Sequence, residues 1–249
     1  MRINKTVFLK GLLGIIIYVS QSISATASDK ITFSGDSSFY SKYLWRGFLL
    51  DEDTVFQPGI YVSGALNDNN VVKVGIWANQ DLDNTDGFNS GEADYLIDYT
   101  YTADAVSISL GHTYYDFVES ETESKEYYVG LSFPGIMLAP SIFIYNDYGD
   151  EEEGGGDGTY AVINLGYSKE ILEKLTFDLS GHAGYNDGLF ISGKGTEIGL
   201  KTGFTLSASD NLKLSPNIIY SIPSGDLSDE TDGNQEEEFL GGLTLTYNL

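Results

Sequence analysis

From Asp29 onward, apolar or aromatic residues alternate with small or polar ones at a period of two. Near the start, Ile31, Phe33, Phe39, Tyr43 and Trp45 share one parity, while Thr32, Ser34, Asp36, Tyr40, Lys42 and Arg46 share the other. Near the end, Phe239, Leu243, Leu245, Tyr247 and Leu249 alternate with Thr244, Thr246 and Asn248. A helix would mix these sets, whereas a strand sends successive side chains to opposite faces. Both ends of the chain therefore read as strands.

The same alternation predicts twelve strands: Ile31 to Gly47, Val55 to Leu66, Val71 to Asn79, Ala93 to Tyr101, Val106 to Tyr115, Lys125 to Phe133, Leu138 to Tyr145, Thr159 to Tyr167, Leu175 to Tyr185, Thr196 to Leu206, Leu212 to Ile222 and Glu237 to Leu249. Most reach the roughly 9 to 11 residues that a tilted strand needs to cross a bilayer. Six connections are long and mostly acidic: Phe48 to Thr54, Gln80 to Glu92, Asp116 to Ser124, Asn146 to Gly158, Asn186 to Gly195 and Pro223 to Glu236. They alternate with five short ones: Asn67 to Asn70, Thr102 to Ala105, Pro134 to Met137, Ser168 to Lys174 and Ser207 to Asn211. An even strand number with short turns at one end and long loops at the other is the pattern of an outer-membrane barrel. A bilayer satisfies no open sheet edge, so such a sheet must close on itself. The fold class expected is thus all-β: one antiparallel transmembrane β-barrel of about twelve strands, spanning residues 28–249. A periplasmic sandwich whose apolar face is its core is the competing architecture, but it gives no reason for loops sorted by length.

The first 27 residues fit export. Arg2, Lys5 and Lys10 precede a short apolar run, Gly11 to Val19, and Ala25-Thr26-Ala27 supplies a small-x-small cleavage site. The run is too short for a spanning helix. Delivery to the outer membrane follows from an export signal combined with the barrel pattern. Net charge is −24, from 37 acidic and 13 basic residues. That sign disfavours nucleic-acid phosphates. The chain has no cysteine, so disulfides, thiolate metal sites and cysteine nucleophiles are excluded.

Several segments resemble the TorF-like porins, a proteobacterial outer-membrane family. They are Ser41-Lys42-Tyr43-Leu44-Trp45-Arg46-Gly47-Phe48, then Phe56-Gln57-Pro58-Gly59, then Val74-Gly75-Ile76-Trp77-Ala78-Asn79. Glu92-Ala93-Asp94-Tyr95 and Gly111-His112-Thr113-Tyr114-Tyr115-Asp116-Phe117 extend the likeness, which covers roughly Gly35 to Phe117. The chain ends Tyr247-Asn248-Leu249, where barrels of this kind often end in Phe. The resemblance implies a porin and supplies no solute.

Strand parity assigns Asp36, Tyr40, Lys42, Arg46, Tyr61, Lys73, Asn79, Asp94, Asp98, Asp178, His182, Glu197 and Lys201 to the pore lining, together with Tyr145, Lys213 and Asn217. This interior reads as polar and nearly balanced in charge. A twelve-stranded lumen lies between the side-chain-filled eight-stranded barrel and the sixteen-stranded aqueous porin. Arg46 opposite Asp94 or Asp98 is the expected constriction, admitting small hydrophilic solutes. Acidic loops with peaks at Asp150 to Glu153 and Glu236 to Glu238 would favour cations at the mouth. The residues also allow a sealed barrel whose loops serve adhesion, partner binding or divalent-ion bridging to lipopolysaccharide.

Other chemistry is thinly supported. Asp81, Asp83, Asp86 and Glu92 offer alternating carboxylates and a closing acid for Ca²⁺, but Gly87 falls one place late for that loop. No cofactor motif occurs. Asp178, Ser180 and His182 share a strand face at spacings of roughly 7 Å, from a rise of about 3.3 Å per residue. That is too far for the hydrogen-bonded relay of a triad. His112, beside Tyr114 on the apolar face, would suit a lipid hydrolase only with a partnered Ser or Asn, and none is evident.

Overall fold

The computed structural model describes residues 31–83, 90–118 and 120–248. Twelve antiparallel strands close into a barrel: β1 (Ile31–Tyr40), β4 (Val55–Asn67), β5 (Asn70–Asp81), β6 (Glu92–Ala103), β7 (Val106–Phe117), β8 (Thr122–Ser132), β9 (Ser141–Asp147), β10 (Thr159–Leu172), β11 (Leu175–Asp187), β12 (Lys194–Ser207), β13 (Leu212–Gly225) and β14 (Glu238–Asn248). Closure runs between the first and last of these, from Ser34 opposite Asn248 to Tyr40 opposite Gly242. Two further short strands, β2 (Tyr43–Trp45) and β3 (Phe48–Asp51), form a separate hairpin. The export segment and Asp86 lie outside the described residues.

Twelve crossing segments agree with the alternation, and three departures have local causes. The first predicted strand ends at Tyr40 instead of Gly47, because Tyr40 already pairs with both Gly242 and Val55 and the wall is complete there. Tyr43 and Trp45, expected to face outward, instead turn inward with β2. The seventh strand starts at Ser141, not Leu138, since Leu138 and Ala139 take positive φ and Pro140 has no N–H for a ladder. The connection expected at Ser168 to Lys174 shrinks to Glu173-Lys174, with β10 and β11 continuing to Leu172 and from Leu175.

The barrel is inverted relative to a water-soluble domain. Its outer surface exposes Val74, Ile76, Tyr95, Ile97, Leu110, Val129, Ile144, Ile163, Leu179, Ile198, Leu200 and Ile218. Its buried side chains include Asn79, Asp94, Asp98, Glu126, Asp147, Glu197, Asn217 and Ser221. So large an apolar band is unfavourable in water and favourable against hydrocarbon.

Inside, rings lie flat over glycines of the neighbouring strand. The Tyr160 ring covers Gly184, and the His182 ring covers Gly199, leaving no room for a Cβ at either glycine. Gly199→Val is therefore expected to displace His182 and to cost about 1–3 kcal/mol, the usual range for overpacking. A lowered midpoint of heat-induced mobility change in detergent gels would show it. An unchanged midpoint would mean that the ring moves aside freely.

Candidate functional site: a hairpin folded into the barrel

The site begins with a turn. Trp45-Arg46-Gly47-Phe48 reverses the chain between β2 and β3, with φ of 50° at Arg46 and 84° at Gly47. A tight two-residue hairpin turn of the type I′ class requires positive φ at both central positions. Glycine adopts this readily, whereas arginine does so at a cost of roughly 1–2 kcal/mol. A Cβ on Gly47 would also press on Leu227 and Glu197, so the tip sits tight against the far wall.

Apolar residues draw the hairpin inward. Phe48 packs with Ile191 and Leu227, joined by Trp45 and Leu50. Trp45 also lies against a second cluster of Tyr160, Val162 and Leu189. Polar tethers fix its orientation. The Tyr43 hydroxyl donates to Glu92 Oε2 at 2.8 Å, and the Leu49 N–H donates to Gln235 Oε1 at 2.8 Å. Lys42 Nζ pairs with Glu238 Oε2 at 2.7 Å, and Ser90 Oγ donates to the Asp51 carboxylate. Burial, reinforced by Glu92, holds the Tyr43 phenol well above its ordinary pKa, so it remains a donor.

At the tip, Arg46 Nη1 donates to Glu126 Oε2 at 2.6 Å and Nη2 to Glu126 Oε1 at 2.9 Å. The two side chains are 10% and 1% exposed, so this bidentate pair is largely sheltered from screening. The guanidinium carbon lies 4.4 Å from the Trp45 ring centre, 4.3 Å from Tyr145 and 4.6 Å from Tyr160. Burial disfavours the Arg46 charge, but Glu126 outweighs it and holds the guanidinium above its ordinary pKa. The Tyr115 hydroxyl completes the carboxylate's shell, donating to Glu126 Oε1 at 3.0 Å.

The layer continues across the lumen. The Tyr160 hydroxyl donates to Glu197 Oε1 at 2.9 Å, His182 Nε2 lies 2.7 Å from the same oxygen, and Ser221 Oγ donates to Glu197 Oε2 at 3.1 Å. On the loop side of this layer is a cavity of about 290 Å³ reached by Trp45, Tyr115 and Asp147. Nearer the short turns is one of about 540 Å³ reached by Asp178, Lys201, Asn217 and Thr244. The two have no lining residue in common.

The remaining predicted lining residues fall inside but apart. Asp98 accepts from Tyr128 at 2.7 Å and from Thr100 at 2.9 Å, and it faces Lys73 across β5 and β6. Lys73 sits 5.8 Å from the Tyr61 ring, whose hydroxyl bonds Asp36. Asn79 accepts from Gln57 and donates to Ser90. Lys201 donates to the Tyr40 hydroxyl at 3.2 Å, and Asp178 accepts from Ser168 and Thr205. The Asp94 carboxyl hydrogen-bonds Glu92, while its buried Oδ1 has no partner among the described residues.

Three expectations change. Arg46 meets Glu126 instead of Asp94 or Asp98, because a turn at the hairpin tip reaches across the lumen as a wall residue would not. The interior is not nearly balanced: Glu92, Glu126 and Asp147 are buried in it besides Asp94, Asp98 and Glu197. The Ca²⁺ grouping does not assemble from its described members, since Glu92 turns to Tyr43 and Asp81 accepts from the Asp83 N–H. No cluster of three or more potential metal ligands occurs among the described residues. His182 bonds Glu197, and Asp178 bonds Ser168 and Thr205, so no triad forms with Ser180. On the outer face, His112 Nε2 contacts the Tyr148 hydroxyl at 2.7 Å. Glu126, Tyr115 and Tyr160 escaped the sequence reading although parity alone puts Glu126 in line with Ser124 and Tyr128.

No protein-family model and no curated protein sequence matches the chain. Among solved structures, an outer-membrane channel from Pseudomonas putida F1 is similar, with a TM-score of 0.58, 8% identity, and coverage of 91% of this chain and 98% of that one. The NanC porin gives a TM-score of 0.49 at 10% identity, covering 87% of this chain and 100% of that one. The KdgM porin, in complex with disordered oligogalacturonate, gives 0.49 at 9%, covering 87% and 98%. At such identities the Pseudomonas likeness is one of fold: a closed antiparallel barrel of outer-membrane architecture.

Proposed function

We propose that this protein is an outer-membrane porin of the TorF-like kind, a narrow passive channel for small hydrophilic solutes with a weak preference for cations. The observation that carries the reading is the inverted barrel: an apolar outer band encloses a charged interior narrowed by a hairpin. A lipid-facing girdle accounts for the exposed apolar residues, and acidic loops beside lipopolysaccharide account for the charge at one end. The family reading rests on the resemblance over roughly Gly35 to Phe117, within which Ser41 to Phe48 builds the hairpin and its Arg46-Gly47 tip. The acidic interior supports cation preference, because carboxylates in a low-dielectric passage raise local cation concentration.

The test is single-channel recording from the refolded protein in a planar bilayer under a salt gradient. Discrete steps with a reversal potential on the cation side are expected. An anion-side reversal would remove the selectivity claim. A second reading, a sealed barrel that displays its loops for adhesion or divalent-ion bridging, is favoured by one feature: the two cavities have no lining residue in common across the Arg46 layer. Silent bilayers from demonstrably folded barrels would establish it.

A further inference from the structure

We infer that the loop-side cavity is a subsite for organic cations, solutes carrying an ammonium or guanidinium group. Its use as an entry subsite rests on the porin reading, whereas binding itself needs only access from the loop side. The argument starts from what lines the cavity: the rings of Trp45, Phe48 and Phe190 beside Glu92, Asp147 and Asp232, with no lysine or arginine. Ring faces are electron-rich and attract weakly hydrated cations most strongly where water is partly excluded.

Two of the carboxylates have only neutral donors: Asp147 takes Ser124 Oγ and the Gly149 N–H, and Asp232 takes the N–H groups of Ser192 and Gly193. Glu92 takes the Tyr43 hydroxyl and shares a hydrogen bond, and hence a proton, with Asp94. Neutral donors position a carboxylate without cancelling its charge. None of the three enters an ion pair with a described basic residue. The cavity thus combines the negative charge of Asp147 and Asp232 with aromatic walls, and no described basic residue pairs with either.

The protein itself shows what such surroundings hold. One layer deeper, the Arg46 guanidinium sits among three rings against one carboxylate. Trp45 belongs to both places, offering the guanidinium one environment and the cavity another. A solute with a cationic head would meet the same chemistry in the cavity that Arg46 meets at the tip. Anions would be repelled, and sodium, which keeps its water, would gain little from the rings.

Trp45 and Trp77 are the only tryptophans, so Trp77→Phe leaves Trp45 as the sole reporter. That variant, refolded in detergent micelles and verified by heat-modifiable gel mobility, is titrated with choline chloride against sodium chloride at equal ionic strength. A saturable change in Trp45 emission with choline and none with sodium is expected. Phe190→Ala and Asp232→Asn should each weaken choline binding about 5-fold, in keeping with the loss of one ring or one charge at a partly exposed cation site. A response that is linear, or the same for both salts, overturns the proposal. Bilayer recording separates the two readings. Choline binding by folded barrels that never conduct would retain the subsite and remove the porin, while conducting channels indifferent to choline would do the reverse.

Discussion

Arg46→Ala is expected to raise single-channel conductance several-fold and to destabilise the docked hairpin. The substitution removes the bidentate partner of Glu126, a carboxylate only 1% exposed, and leaves it with the Tyr115 hydroxyl. Breaking one side of a buried pair typically costs about 3–5 kcal/mol. That exceeds what the backbone regains, because alanine at φ 50° is still strained. Arg46→Gly removes the strain together with the pair and separates these contributions: equal conductance in both variants would make the ion pair the fastening, and wild-type conductance in the glycine variant would make it the turn geometry. Arg46→Lys should fall between, since a lysine supplies charge without the planar fork. Adding Glu126→Ala to Arg46→Ala should recover part of the lost stability, because partners in one pair are not additive. Wild-type conductance and unfolding in Arg46→Ala would show that aromatic packing and Tyr43 hold the hairpin unaided.

This layer was only partly legible in the sequence. Parity along a strand is a local property, so it placed Asp36, Tyr61, Lys73, Asp98 and Glu197 inside the barrel without knowledge of their partners. Arg46 was singled out for the right quality, a cation pointing inward, but on the assumption that its strand continued. The chain leaves the wall after Tyr40 because Tyr40 and Val55 already face each other, a closure that only the assembled ladder reveals. Once outside the wall, parity carries no meaning, and Tyr43 and Trp45 turn inward despite sharing parity with the exposed Phe39. The Arg46-Gly47 dipeptide offered one local hint, since glycine beside an aromatic-flanked residue suits a tight reversal. Glu126 was hidden differently: pairing it with Arg46 joins positions 80 residues apart through a loop, and no periodicity reports such a contact.

The interior charge was misjudged for a related reason. Strand boundaries at Ala93 and Tyr145 leave Glu92 and Asp147 among the loops. The barrel strands reach Glu92 and Asp147 instead, which puts both on buried inner positions, while Glu126 lies within the expected strand and is simply absent from the expected lining. Shifts of one or two residues leave a barrel's topology intact and make its lumen more acidic.

Excising Ser41 to Thr54 and joining Tyr40 to Val55 through an Asn-Gly turn should leave a folded barrel with the largest conductance of any variant described. The reason is topological. β1 and β4 pair directly over ten residues, from Ile31 opposite Gly64 to Tyr40 opposite Val55, and the hairpin contributes no rung to that wall. Asn-Gly is the favoured closure for adjacent antiparallel strands whose last partners face each other. Removing the segment takes away Lys42 and Arg46 together with Asp51, Glu52 and Asp53, and leaves Glu92, Glu126 and Glu197 on the wall around a wider passage. Two changes follow together: conductance rises because the crossing layer loses its centre, and the reversal potential moves further toward the cation because the narrowest layer loses Arg46 while its Glu126 and Glu197 carboxylates stay. Heat-modifiable gel mobility checks the fold, and bilayer recording in a salt gradient checks both electrical changes. Higher conductance with an unshifted reversal potential would place selectivity in the outer loops instead of the lumen. A folded deletion variant that stays silent would move the seal to the Ile191 and Leu227 side of the mouth, where loop residues pack on one another once Phe48 is gone.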